Sequence, residues 1–274
     1  MRKQKEDYYM GLTLLNEYVN IDDCPITESS FVNQCKERLE KHGALIIPGF
    51  LRKKALRKLI KEAKENQGKA FYSSSTHNIY LTPRDKSLPD DHIFNHQIIS
   101  SKGCITTDQI PENSGLKIIY HSVLFKNFLS QIVQETSLFE YDDPFSSINI
   151  HYANEGQELG WHFDNSSFAV TLLLQKPLDG GTFEYVKDVR NSEYGDMGYE
   201  TANKIVLGHE TPSVLEIEPG TLVLFRGKDS MHRVTPTIGD LTRMLVVFAY
   251  NTKPGISLSK SAQKTFYGKV AHNN

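Results

Sequence analysis

Two histidines and one carboxylate carry the sharpest chemical signal in this chain. In WHFDNSSF, His162 and Asp164 stand two positions apart. On an extended segment that spacing turns both side chains to one face, where an imidazole and a carboxylate can share a cation. An HxD pair alone is weak evidence, because both residue types are common on surfaces. His232, in GKDSMHRVTP just after the strand-like GTLVLF, adds a third donor. Two His and one carboxylate leave three positions of an octahedral ion open, an arrangement suited to non-heme Fe(II) and oxygen chemistry.

Arg243 completes the pattern. It opens TRMLVVFAY, where Arg243, Leu245, Val247 and Ala249 alternate with Met244, Val246, Phe248 and Tyr250. Both faces are apolar, which predicts a strand buried on both sides. An arginine there needs an anionic partner, since an unpaired buried charge is costly. The partner is either a carboxylate in a structural salt bridge or a ligand carboxylate, for which the guanidinium fork is well shaped. A bidentate 2-oxo acid and dioxygen fit the open metal positions, and the far carboxylate of 2-oxoglutarate fits Arg243.

The elements that must position these residues fall into two halves. In the first, Phe31, Cys35 and Leu39 form one helical stripe that starts after Ser29-Ser30 and stops at Gly43. Residues 44–50 form a short strand and turn. Leu51, Ala55, Leu59 and Ala63 mark a second helix ending near Gly68, residues 115–135 predict a third, and residues 69–113 look irregular. In the second half, segments 146–152, 168–175, 181–186, 213–217, 220–225 and 242–250 read as short strands separated by Gly, Pro and Asp turns. The expectation is one domain over 1–274, mainly β. Residues 1–140 are mostly helical support, and residues 141–255 form a jelly-roll, cupin-like core. The stretch 187–212 is too long for a tight hairpin and is a candidate lid.

Composition narrows the partners. With 39% hydrophobic and 23% charged residues the chain is globular rather than disordered. A formal charge of -2 leaves no footprint for nucleic acid. No apolar run reaches the roughly 18 residues needed to span a bilayer, and the start carries no signal-peptide core. Three widely spaced cysteines, Cys24, Cys35 and Cys104, form no CxxC pair and read as reduced thiols. A cytoplasmic enzyme acting on a small molecule is the expectation, with its oligomeric state open.

The motifs SSINIHYANEGQELGWHFDNSSFAVTLLLQKPLDGGTFEYV, GTLVLFRGKDSMHRVTP and TRMLVVFAYNTKPG resemble Fe(II)/2-oxoglutarate-dependent dioxygenases of the double-stranded β-helix fold. They are most similar to the branch containing the radical halogenases of free lysine and their hydroxylase relatives. The resemblance spans about residues 40–270, with softer matches at HNIYL, SSKGC and KTFYG. It implies Fe(II) on His162, Asp164 and His232, with 2-oxoglutarate and O2 as cosubstrates and a free amino acid, lysine first, as substrate. The halogenases of that branch have glycine where this chain has Asp164, so hydroxylation rather than chlorination is implied.

Other site candidates follow from position. Tyr152, at the end of SSINIHY, is a possible hydrogen-bond partner of the cosubstrate, although a buried polar residue satisfied by backbone explains it equally well. Asn165, Trp161 and His77 are substrate-pocket candidates, while Trp161 as the only tryptophan equally suits core packing. Alternatives from other classes are a cupin-like metal-dependent hydrolase or isomerase, a binding module that has lost catalysis, and a halogenase of the same branch.

Overall fold

The computed structural model describes residues 2–271. Along the chain the helices are α1 (Arg2–Asn16), α2 (Ser29–His42), α3 (Lys53–Asn66), α4 (Gly115–His121), α5 (Val123–Val133), α6 (Tyr199–Val206) and α7 (Lys260–Tyr267). The strands are β1 (Ala44–Ile47), β2 (Phe71–His77), β3 (Ile98–Ile105), β4 (Ile148–Ala153), β5 (Leu159–His162), β6 (Ala169–Gln175), β7 (Asp179–Gly180), β8 (Phe183–Val186), β9 (Ser213–Leu215), β10 (Leu222–Phe225), β11 (Met231–Val234), β12 (Thr237–Ile238) and β13 (Arg243–Phe248). All pairings are antiparallel. One sheet runs β1-β10-β6-β13-β4-β3-β5-β11-β8-β9, with β2 added on β3 and β12 pairing β7 apart from it. The sheet curls into the jelly-roll expected from the second half.

The curl gives each central strand two environments. Ile148, Ile150 and Tyr152 of β4 and Met244, Val246 and Phe248 of β13 join the main core with α2–α5. The opposite face looks into the jelly roll, where Leu245 and Val247 are only half-buried. The predicted burial of β13 on both sides therefore holds fully on one face alone. The helix α7 closes one end of that interior: the Tyr267 hydroxyl donates to Asn149 Oδ1 at 3.0 Å.

Three local expectations differ from what is found. Residues 69–113 are not irregular, since they hold the β2–β3 hairpin, in register from Phe71↔Cys104 to His77↔Ile98. Apolar alternation is weak there because β2 is a largely exposed edge strand and β3 places Ser100 and Lys102 toward the interior. The helix predicted over 115–135 is broken at Ser122, whose hydroxyl caps α5 by accepting from Phe125 N–H. The stretch 187–212 is ordered rather than a bare loop. Its α6 buries Ala202 and Ile205 with Tyr80, Trp161 and Phe163 in a second core. Arg190 lies 4.2 Å over the Phe163 ring and donates to Lys228 O at 2.7 Å. Among the described residues no helix is long and apolar enough to cross a membrane. The three cysteines are free and buried, and burial first of all pushes each thiol up to about 11.

Candidate metal centre

His162 ends β5 and His232 lies on the neighbouring β11, directly opposite in register. The ladder then shifts, with Val234 facing Leu159, so β5 carries one extra residue beside the pair. Asp164 follows β5 by two residues, and its backbone N–H donates to Gly227 O at 2.9 Å. These contacts bring His162, Asp164 and His232 together, with one ligand atom from each within 4.8 Å of the others. The Nε2 atoms of His162 and His232 lie 3.7 and 3.5 Å from Asp164 Oδ1.

Each imidazole is fixed by its other nitrogen. His162 Nδ1 lies 2.7 Å from Gly160 O and His232 Nδ1 lies 3.0 Å from Ser230 O. A carbonyl can only accept, so both Nδ1 atoms carry the proton and both Nε2 lone pairs face the centre. Burial first, then His232, brings the His162 pKa down to about 3, which keeps it in the neutral, ligating form. Burial works against ionisation of Asp164, but His232, His162 and Lys102 outweigh it and hold the carboxyl below its usual range. Asp164 Oδ2 is buried with no hydrogen-bond partner. A buried orphan oxygen beside two aligned imidazole lone pairs suits a divalent cation, and the N2O donor set suits Fe(II).

Two glycines make room for this. A Cβ at Gly227 would collide with Asp164 Oδ2 and crowd His232 Cε1. A Cβ at Gly160 would collide with the Ile98 side chain and the Ile99 carbonyl, so glycine lets β5 lie close to β3.

Arg243 is buried at the start of β13, with neither an ion pair nor a side-chain hydrogen bond among the described residues. Burial lowers its pKa to about 10, so it remains a cation. It lines a cavity of about 170 Å³ with Leu173, Gly181, Thr182 and Phe183. Phe183 in turn stacks on His232 with ring centroids 5.5 Å apart. Among the described residues no carboxylate pairs with Arg243, so the salt-bridge alternative is not what is found.

The remaining candidates are distributed differently. Tyr152 points into the helix-covered core and donates to Ala63 O at 2.7 Å, so it is corrected from cosubstrate contact to core residue. Strand alternation sends Asn149 and His151 to the interior in its place. Trp161 faces outward into the second core, with Arg233 4.7 Å over its ring, and is likewise removed from the pocket. Asn165 is exposed on the turn beyond Asp164.

His77 stands edge-on to His162 at 6.1 Å between ring centroids, but it has no free nitrogen. Its Nδ1–H donates to Asn78 O at 2.9 Å and its Nε2 accepts from Ser100 Oγ at 2.7 Å. Ser100 Oγ also accepts from Gly160 N at 3.0 Å, and Gly160 O is the acceptor for His162. His77 thus supports a metal-ligand candidate from behind and does not reach for a substrate. Lys102 on β3 and His151 on β4, neither of which any spacing in the sequence singles out, also face the interior, where they meet at 3.4 Å.

A family model described as Halogenase D matches residues 27–266. The chain belongs to the Halogenase D family. Its fold recurs in solved structures. An oxidoreductase of the 2OG-Fe(II) oxygenase family from Burkholderia pseudomallei is 14% identical, with 82% of this chain and 93% of that one covered at a TM-score of 0.51. A non-heme alpha-ketoglutarate-dependent epimerase of nogalamycin biosynthesis is 10% identical, covering 81% and 84% at a TM-score of 0.56. A prolyl hydroxylase from Trichoplax adhaerens is 11% identical, covering 80% and 89% at a TM-score of 0.52. At these identities the likeness is one of fold, the jelly roll of 2-oxoglutarate-dependent Fe(II) oxygenases. Among curated protein sequences none matches this chain.

Proposed function

We propose that this Halogenase D family member is an Fe(II)- and 2-oxoglutarate-dependent hydroxylase. It acts on an unactivated C–H bond of a free amino acid or similar small molecule, with lysine as the first candidate. The observation that carries this reading is Asp164, which stands beside His162 and His232 with a buried, unpartnered oxygen and with Gly227 keeping the space clear. Fe(II) with 2-oxoglutarate and O2 supplies C–H oxidation coupled to decarboxylation of the 2-oxo acid. The chain's own part is to hold and shield. His162, Asp164 and His232 are the metal ligands, and the backbone carbonyls of Gly160 and Ser230 keep the two imidazoles in the ligating tautomer. Arg243 receives the far carboxylate of 2-oxoglutarate, since it is a buried fork with no anion among the described residues to occupy it.

Halogenation is the second reading, and the family's description favours it. Against it stands the Asp164 carboxylate, which neutralises one charge of Fe(II) and fills the position that glycine leaves open in the resembling halogenases. The test is a product assay over free amino acids with Fe(II), ascorbate, 2-oxoglutarate and high chloride, read by mass spectrometry with succinate measured in parallel. The native chain is expected to form succinate and a product heavier by one oxygen, with no chlorinated product. Asp164→Gly is expected to lose most hydroxylation. Chlorination by the native chain, or undiminished hydroxylation by Asp164→Gly, overturns the assignment of Asp164, and absence of succinate with every amino acid overturns the substrate class.

A further inference from the structure

The interior holds a second, half-buried cation that the proposed chemistry has not used. Lys102 lies on β3, between β4 and β5 in the sheet. Its Nζ is 3.4 Å from both ring nitrogens of His151, and among the described residues it has no other hydrogen-bond partner and no carboxylate within ion-pair distance. His151 is held neutral: burial, then Lys102, then Arg243, push its pKa well below the usual histidine range. A neutral imidazole offers Lys102 one lone pair, so at least two of the three ammonium donors stay without a partner among the described residues. Burial lowers the Lys102 pKa, opposed by the neighbouring Cys104 thiol and the Asp164 carboxylate.

Register locates this cation relative to the others. Arg243 faces Ala153 across the β13–β4 ladder. Gly103 faces Tyr152 across the β4–β3 ladder, so Lys102 flanks Ala153 from the other side. The two cations therefore stand about two strand spacings apart, roughly 10 Å at the backbone. Lys102 stands on β3, the strand next to β5 with its His162, whereas Arg243 lies two strands further along the sheet on β13, so Lys102 is the cation at the metal end of the pocket.

We propose that Lys102, steadied by His151, is a second clamp on 2-oxoglutarate that binds its metal-end carboxylate while Arg243 binds the far one. The proposal rests on the oxygenase reading above. A five-carbon diacid has one carboxylate for each of these two cations, which have no carboxylate partner among the described residues, and its arrival removes the cost of keeping Arg243 buried and unpaired. His151 keeps the lysine chain directed into the pocket and leaves its other donors for the ligand.

Calorimetry on the Zn(II)-loaded protein, which does not turn over, tests this with two acids. One is 2-oxoglutarate; the other is 2-oxobutyrate, which keeps the 2-oxo acid head and lacks the far carboxylate. Lys102→Met is expected to weaken both acids by about ten- to a hundredfold, the loss of one charge-assisted bond. Arg243→Met is expected to weaken 2-oxoglutarate alone. Metal content and Tm are measured beside the affinities, with Lys102→Gln as a second variant should Lys102→Met fold poorly. Unchanged 2-oxoglutarate affinity in a folded, metal-loaded Lys102 variant overturns the clamp. Loss confined to 2-oxoglutarate overturns the metal-end assignment. Failure of the native protein to bind 2-oxoglutarate at all sinks the oxygenase reading itself and is distinct from either result.

Discussion

Strands β4 and β13 lie side by side and present opposite chemistry on their two faces. Toward the helices, Ile148, Ile150, Tyr152, Met244, Val246 and Phe248 are at most 1% exposed, and the one polar atom among these side chains, the Tyr152 hydroxyl, is satisfied by Ala63 O. Toward the interior, Asn149 and His151 alternate with them on β4, and Arg243 opens β13 with a charge that no carboxylate among the described residues neutralises. The difference separates two jobs within one ladder. Apolar burial on the helix side supplies stability at roughly 25 cal/mol per Å², so the interior side can keep lone pairs and cations available for ligands. Substitutions on the two faces should therefore fail in different assays.

The largest effect is expected at the metal. His232→Ala removes one of three donors and should abolish both Fe(II) retention and turnover, read as metal content after gel filtration and as succinate formation. Full activity at saturating Fe(II) would break the triad assignment. Next comes the helix face. Phe248→Ala empties a packed core position and should cost about 3–5 kcal/mol in chemical denaturation, while the folded fraction keeps its apparent KM for 2-oxoglutarate. A change in KM there would show that the two faces are not separable.

Arg243→Lys probes the interior face more gently. Lysine keeps the charge and loses the planar fork, so the apparent KM for 2-oxoglutarate should rise by about ten- to a hundredfold, equivalent to roughly 1.5–3 kcal/mol. Stability should hardly change, because no protein partner is abandoned; an unchanged KM would make Arg243 structural. Smallest of all, Tyr152→Phe deletes the hydrogen bond to Ala63 O and should cost about 0.5–1.5 kcal/mol of stability with no effect on KM. A raised KM would return Tyr152 to the cosubstrate site.

Much of this was legible in the residue order, for identifiable reasons. The spacing of His162 and Asp164 on an extended segment dictates a shared direction whatever the tertiary fold, because side-chain alternation is a local property of the backbone. The short β segments after residue 146 were readable because each buries at least one apolar face. Where burial is slight or the buried face is polar, the signal vanished: β2 is an exposed edge, and β3 turns Ser100 and Lys102 inward. Alternation along SSINIHY separates Asn149 and His151 from Ile150 and Tyr152, yet it cannot say which set looks at the metal. Packing of α3 on the sheet decided that, by offering Ala63 O to the Tyr152 hydroxyl. Likewise no local rule links Ser100 to Gly160, or Lys102 to His151, because those contacts exist only once β3 is inserted between β4 and β5. The sequence by itself determined the donor set, the strand-rich half and the cation on β13. The tertiary structure alone decided which side chains share the interior with them, since that depends on neighbours far away in the chain and on which face the helices cover.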